Sequence, residues 1–418
     1  MKKTVWIMNH YANHMLFDHG GRHYNFAKYL QRAGYAPVVF CSNAKHNSRA
    51  ECFFDSDALW HEQLAEEIQT PFVFVKSRTY TGNGKQRVLN MVDFYHNVKK
   101  TAKEYAQEHG NPDVIFASSV HPLTLVAGIQ LAKHFGVKCI CEVRDLWPES
   151  LVAYGIAGPH NPAVLALRRL EKWIYKKADA IIFTMEGAYD YIIEQGWEKD
   201  IPRSKVHYIN NGVDLEAFNY NKEHYQVQDE DLENPNIFKV IYTGSIRKVN
   251  NLGLLLDTAK NVKDPMVKFF IWGDGDELPA LEQRIRDERI DNVSFKGRVD
   301  KKCVPYIVSK ADVNLLHGGN EKSNGLMRFG ISPNKLFDYF AAGKPIIMDI
   351  TAKYNPVEEY SAGICLNSAS EIANAVIRIA KMGEDEKQTL LENVRKAAQA
   401  FDFKHLTEDL AKIIEGTT

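Results

Sequence analysis

What most limits the fold of this chain is a rhythm. Short runs rich in Val, Ile and Phe alternate with longer amphipathic runs, and the pattern is played twice. In the first half the apolar runs fall at residues 4–8, 37–41, 72–75, 114–117, 138–142, 180–183 and 206–209. Helical periodicity fills the intervals at 24–33, 89–109, 123–135, 164–177 and 188–195. The second half repeats this, with runs at 239–243, 267–271, 293–296, 313–316, 345–348 and 364–366 and helices at 252–261, 278–289, 304–309, 335–342 and 369–382. Strands that are apolar throughout, not on alternate positions, are buried on both faces, and helical crossovers between them make the sheet parallel. The expectation is α/β: two doubly wound, Rossmann-like domains, with ligands received at the carboxyl ends of the strands, where the domains face each other across a cleft.

A chain of 418 residues suits two cores better than one. The stretch 219–236 is polar, acidic and unpatterned, as a surface connection would be. The boundary is placed just before it, giving domains 1–209 and 210–400, with a last helix within 401–418 expected to pack back on the first.

Lys and Arg number 52 against 53 Asp and Glu, so no global field recruits nucleic acid or anionic lipid, and any anion site has to be local. The apolar start, Thr4 to Met8, is too short for a signal peptide's core, and no later run approaches the roughly 18 residues of a membrane span. The six cysteines include no Cys-x-x-Cys pair, and reduced thiols in the cytoplasm are expected.

The richest segment is Ser332-Pro333-Asn334-Lys335-Leu336-Phe337-Asp338, followed by Gly343-Lys344-Pro345. It places a loop, a helix with Pro333 near its first turn, a glycine cap and a strand. Free amides of the first turn, the positive end of the helix dipole and Lys335 together suit a diphosphate, and Asp338 suits ribose hydroxyls. A capped helix carrying a surface Lys and Asp is the alternative. Elsewhere, His10, His14, His19 and His23 crowd the loop after the first strand, where helical spacing has no meaning. They read as polar loop residues ahead of a metal site. Among them His19, beside Gly20-Gly21, is the one expected to approach substrate. His121 follows a strand end and is either a cleft residue or a solvated loop histidine. Arg144, Asp145 and Glu149 follow another strand end around Trp147-Pro148. The helix holding Arg168, Arg169, Lys172, Trp173, Lys176 and Lys177 is either an ordinary amphipathic helix or a surface that rests on an anionic membrane. Gly82-Asn83-Gly84-Lys85 lacks the spacing of a P-loop.

The segment at 332–345 resembles the signature of the retaining glycosyltransferases of family 4, which have the GT-B fold. Other stretches resemble that family in order: Gly20-Gly21, Asn210-Asn211-Gly212-Val213-Asp214, Ile271-Trp272-Gly273-Asp274-Gly275 and Val293-Ser294-Phe295-Lys296-Gly297. Cys141-Glu142-Val143-Arg144-Asp145-Leu146-Trp147-Pro148-Glu149 is similar to a subgroup that builds bacterial surface polysaccharides such as O-antigen or capsule. The resemblance implies transfer of a sugar from a nucleotide donor, commonly a UDP-sugar and often an amino or deoxy sugar, to a saccharide or polyprenyl-diphosphate-linked acceptor. It also implies retention of configuration and peripheral contact with the inner face of the membrane.

As donor-binding residues it implies Gly20, Gly21, Gly244, Ser245, Gly273, Gly297, Ile331, Ser332, Pro333, Lys335, Leu336 and Asp338, and Arg247, Lys248 or Lys335 is expected to supply the diphosphate charge in place of the family's usual cations. Read from their strand-end positions, His121, Arg144 and Asp145 are the candidate catalytic residues, Asp145 suited to orient an acceptor hydroxyl and Arg144 to bind an acceptor phosphate. The chain departs from the family in three places. Of its two acidic positions, one falls on Gly330 and the other on Asp338. The usual Arg and Lys after the first strand of the second domain are Ser245 and Asn250, with Arg247 and Lys248 between them. The usual His of the Val-His-Asp step is Arg144. No metal and no cofactor is expected; the nucleotide sugar is a substrate. The alternatives are a sugar-nucleotide epimerase of the same fold and a hinged, non-catalytic sugar- or nucleotide-binding protein. The first would need no acceptor, and the second would turn nothing over.

Overall fold

The computed structural model describes residues 2–48, 51–55, 57–318 and 324–417. The chain divides into two compact units, Met1–Asn210 together with Leu406–Thr418, and Asn211–His405.

The first unit is built on β1 (Thr4–Met8), β2 (Ala36–Ser42), β3 (Trp60–Ala65), β4 (Thr70–Val75), β5 (Val114–Ser118), β6 (Lys138–Val143), β7 (Ala180–Phe183) and β8 (Val206–Tyr208). They form one sheet in the order β3-β4-β2-β1-β5-β6-β7-β8. All neighbours pair in parallel except β3, which runs antiparallel to β4. Central strands are buried on both faces. Trp6, fully buried, lies between Phe40 of β2 and Tyr105 of a covering helix at 5.0 and 5.9 Å between ring centres. On the same sheet the Pro122–Phe135 helix approaches so closely that a Cβ at Gly128 would stand 2.5 Å from the Ala117 Cβ. The sheet reverses direction between β1 and β5, a switch point whose carboxyl ends are open to ligands in folds of this kind.

The second unit is built on β9 (Phe238–Thr243), β10 (Val267–Trp272), β11 (Val293–Gly297), β12 (Val313–Leu316), β13 (Ile346–Met348) and β14 (Gly363–Cys365). Its sheet is parallel throughout, in the order β11-β10-β9-β12-β13-β14, so its switch point lies between β9 and β12. One face packs on Leu252, Leu255, Leu256 and Ile372, the other on Leu336, Phe337, Phe340 and Val394. The helix Phe403–Glu415 carries the chain out of the second unit. From Leu406 its residues belong to the first, where Glu415 pairs with Lys3 at 2.6 Å and accepts from Tyr35 at 2.9 Å.

Several expectations are corrected. The segment 219–236 is not an unpatterned connection: it holds most of the Leu215–His224 helix and the turn of helix Glu230–Glu233. A short helix, Asn13–Phe17, interrupts the loop after β1. Strand β3 and the long helix Glu384–Ala400 were not expected.

Candidate active site

In the second unit the carboxyl ends of β9, β10 and β11 are stitched backbone to backbone. The Gly244 amide donates to the Trp272 carbonyl at 2.9 Å, the Gly273 amide to the Gly297 carbonyl at 2.9 Å, and the Ile246 amide to the Asp274 carbonyl at 2.8 Å. Gly273 cannot be replaced without cost here: at φ +151° a Cβ would lie 1.8 Å from the Gly244 carbonyl oxygen. Beyond this ladder starts the Asn334–Ala342 helix, with Pro333 at its N-cap and Gly343 closing it at φ +65°. Its first free amides and dipole face the region of the switch point.

Lys335 reaches from that first turn to the end of β9. Its ammonium donates to the Tyr242 hydroxyl at 2.8 Å and lies 4.4 Å from the centre of that ring. A Cβ on Gly244 would come within 2.9 Å of Lys335 Nζ, so the glycine keeps the ammonium's place clear. Burial lowers the Lys335 pKa to about 8, against the opposing pull of Asp349. Asp338, one turn further, makes no hydrogen bond among the described residues. Burial raises its pKa to about 6, with Lys301 pulling the other way. This is an acceptor held ready with no internal partner. Arg247 and Lys248 are exposed and form no ion pair among the described residues. Ser245 is likewise exposed, its hydroxyl accepting from Asn250 at 2.9 Å. Ser332 is tied to the Asn211 amide at 3.3 Å and, through its carbonyl, to the Asn211 side chain at 3.2 Å.

Two of the expected donor residues have their side chains in the core. Leu336 is wholly buried in the core and its amide is bonded to the Pro333 carbonyl, while Ile331 is 5% exposed in the same apolar cluster. They support the loop and offer no side chain to a ligand. Gly20 and Gly21 belong to the first unit, where Gly21, at φ +103°, opens the Arg22–Arg32 helix. Sequence reasoning missed His317 and Asp349, at the carboxyl ends of β12 and β13. The imidazole Nδ1 and the carboxylate are 2.9 Å apart, and His317 Nε2 is buried with no partner among the described residues.

In the first unit the corresponding strand ends gather polar groups. His121 is buried, not a solvated loop residue. Its Nε2 lies 2.8 Å from Nδ1 of His10, which stacks on Phe94 at 4.3 Å. Burial depresses both imidazoles, His121 to about 3, so the pair is neutral at ordinary pH. The outer nitrogens, His10 Nε2 and His121 Nδ1, are buried without hydrogen-bond partners among the described residues. Arg144 is anchored through its amide to Ser119 Oγ at 3.1 Å, its guanidinium unpaired among the described residues, and Asp145 beside it is exposed. Glu149 takes no part in this group; it pairs with Arg168 at 2.7 Å.

Below this layer Glu142 is fully buried. It receives Arg22 at 2.7 Å, His23 at 3.0 Å and Ser118 at 2.6 Å. Burial alone would raise its pKa, but Arg22 and the His23 bond outweigh that and hold it well below the usual carboxylate range. Arg22 also donates to the carbonyls of Ile209 and Asn210. His23 is therefore structural. His19, at φ +47°, pairs with Glu67 at 3.1 Å on the surface. The described residues contain no group of three or more His, Cys, Asp or Glu placed to hold a metal.

Two family descriptions match the chain: Glycosyltransferase Family 4 over residues 22–217 and Glycosyl transferases group 1 over residues 237–382. The chain is 23% identical over 236 residues to the probable glycosyltransferase WbjE of Pseudomonas aeruginosa, a match spanning 56% of each protein. It is 25% identical over 284 residues to the putative teichuronic acid biosynthesis glycosyltransferase TuaH of Bacillus subtilis, spanning 65% of this chain and 66% of that one. These alignments thus span less than two thirds of either relative. Among solved structures it is similar to HepE of Anabaena in complex with UDP, with TM-score 0.63 at 15% identity over 100% of both chains. It is also similar to sucrose-phosphate synthase of Thermosynechococcus elongatus, with TM-score 0.67 at 17% identity, covering 100% of this chain and 99% of that one. At such identities the likeness is one of fold, the two-domain GT-B architecture. With one family description over each half and that fold beneath them, the chain belongs to the family 4, group 1 glycosyltransferases.

Proposed function

We propose that this chain is a metal-independent, retaining glycosyltransferase. In this reading it moves a sugar from a nucleoside diphosphate, UDP in preference, to a saccharide or polyprenyl-diphosphate-linked acceptor in bacterial surface polysaccharide synthesis. The carrying observation is the cradle of the second unit: three strand-end glycines, a helix N-terminus, and Lys335 and Asp338 on one turn of that helix. A departing nucleoside diphosphate needs its growing charge stabilised, and helix amides with Lys335, joined by Arg247 or Lys248, are suited to that. Asp338 would take the ribose hydroxyls. His121, Arg144 and Asp145 would serve the acceptor. Retention means that the acceptor hydroxyl arrives on the face the diphosphate leaves. HepE's complexes with UDP and with UDP-glucose add support for a uridine donor, and the names of WbjE and TuaH support the polysaccharide role.

No helix among the described residues is long and apolar enough to cross a membrane. The proposal places the protein in the cytoplasm. Peripheral contact is assigned to the Pro162–Lys177 helix, whose Leu165 and Trp173 are 40% and 36% exposed beside basic side chains.

The test is thermal stabilisation by UDP, GDP, ADP and their sugars, with and without EDTA, followed by transfer to polyprenyl-diphosphate saccharides. Ligand at 100 times its dissociation constant adds about 2.7 kcal/mol, so a donor is plain. A shift for one nucleotide family that survives EDTA supports the reading; no shift for any of them sinks it.

A further inference from the structure

Two arginines of the first unit stand out because neither forms an ion pair among the described residues. Arg87, in the first turn of the Lys85–His109 helix, bonds only the neutral Asn83 amide, and its Nε is buried without a partner. Arg144, after β6, has a buried unpartnered Nε and no side-chain bond among the described residues. Neither has a carboxylate within ion-pairing distance among the described residues. A half-buried guanidinium without a counterion is costly, and proteins ordinarily supply the anion from their own chain or from a ligand.

The two converge on the His10–His121 pair. Phe94, two turns after Arg87 on the same face of the Lys85–His109 helix, stacks on His10 at 4.3 Å, and His10 lies 2.8 Å from His121. Arg144 bonds through its amide to Ser119 Oγ at 3.1 Å, two residues before His121, and the pKa values of His10 and His121, lowered first by burial, agree with a cation at Arg87 close by. The His10–His121 pair is neutral, and the one carboxylate next to Arg144 in the chain is the exposed Asp145, so the two guanidinium charges exceed it by one. The neutral His10–His121 pair adds polarity without charge. Whichever ring donates the shared hydrogen bond, one outer nitrogen is left as an N–H donor and the other as a lone-pair acceptor.

We infer that Arg87 and Arg144 form an anion subsite in the first unit that receives a phosphate or carboxylate group of the sugar acceptor, beside the His10–His121 pair. That the anion belongs to an acceptor rests on the glycosyl-transfer reading; that the site binds anions does not. Phosphate and carboxylate share the planar or tetrahedral oxygen edge that a guanidinium fork meets with two bonds. The acceptor's anion is thus a phosphate ester, as on a lipid carrier, or a uronate within a saccharide.

The experiment is calorimetric titration of inorganic phosphate into the full chain holding saturating UDP, which fills the second unit's own diphosphate cradle. Wild type is compared with Arg87→Gln and Arg144→Gln, each checked by circular dichroism and melting. Phosphate is expected to bind, and each glutamine variant to weaken it by about tenfold, as loss of a charge-assisted pair does. Should a glutamine variant unfold, Arg87→Lys and Arg144→Lys keep the charge and remove the fork, and a smaller loss is expected. Repeating the titration with N-acetylglucosamine 1-phosphate, glucuronate and glucose separates the sources: tighter binding of the first or the second names phosphate or carboxylate, and glucose is expected to lag behind both. Unchanged phosphate affinity across the variants, no phosphate binding by wild type, or glucose binding as well as the anions would overturn the subsite. If UDP, GDP and ADP all fail to bind, the glycosyl-transfer reading fails, and titration without nucleotide still decides the subsite.

Discussion

Lys335 and Asp338 sit one turn apart on the same helix, and their surroundings shift them in opposite senses. A carboxyl raised to about 6 is protonated in mild acid, and an ammonium lowered to about 8 is neutral in mild base. For the free protein, Asp338 ionises less readily folded than unfolded, so its contribution to stability declines as pH climbs from about 4 to about 6. For ligand binding the sign reverses, because an ionised carboxylate is the better acceptor for ribose hydroxyls. Uridine, which carries no phosphate, is expected to bind more tightly as pH rises from about 5 to about 7, and Asp338→Asn to flatten that rise. At neutral pH the same variant should lose about 1–3 kcal/mol of nucleoside affinity. UDP affinity should then fall as pH passes about 8, where Lys335 loses its proton, and Lys335→Ala should remove that fall while sparing uridine. Titration calorimetry across pH decides each; parallel profiles for uridine and UDP would take Lys335 away from the diphosphate.

At the scale of elements, two constructions carry the strand ends. Gly273→Ala drives a Cβ into the Gly244 carbonyl, so the β9 and β10 exits must part. Backbone strain of about 1–3 kcal/mol is expected, with UDP binding lost, measured by urea denaturation and by titration. Glu142→Gln leaves Arg22 buried with its counter-charge gone, and about 3–5 kcal/mol of stability should go with it.

Most strands were legible because a doubly covered parallel strand is apolar at every position. β3, Trp-His-Glu-Gln-Leu-Ala, was not, being a half-exposed antiparallel edge with no such run. The Leu215–His224 helix buries only Phe218, so periodicity gave no signal. Its one legible sign was Asp214, whose side chain caps the Ala217 amide at 3.2 Å. The Glu384–Ala400 helix buries only Val394, Ala397 and Ala398, though its acidic first turn was there to be read. At the site, what lies within one helix turn was readable, as Lys335 and Asp338 were. What depends on strands meeting was not. His10 and His121 are 111 residues apart, Arg22 and Glu142 are 120, and His317 and Asp349 are 32. Nothing local marks one member of such a pair as needing the other.

For the whole molecule, the notable fact is that the chain's last residues complete its first unit. Lys3 and Glu415 are 412 positions apart and paired, and Leu406, Leu410, Ile413 and Ile414 are buried. Each such side chain contributes about 1.5–3 kcal/mol by its burial, far more than the exposed ion pair at the helix end. Ending the chain after His405 should therefore destabilise the first unit by several kcal/mol, roughly the sum of those burials, while the second unit keeps its own sheet, cores and nucleotide cradle. Tryptophan placement makes this measurable. Trp272, buried at the end of β10, is the second unit's single tryptophan, and Trp6, Trp60, Trp147, Trp173 and Trp197 belong to the first. Urea titrations would follow Trp272→Phe in full-length and shortened chains, with UDP present or absent. The first-unit signal should melt at lower urea on shortening, and UDP should still shift the Trp272 signal of the otherwise native shortened chain. If both signals instead move together on shortening, the two units unfold as one cooperative body, and the second owes its stability to more than its own cores.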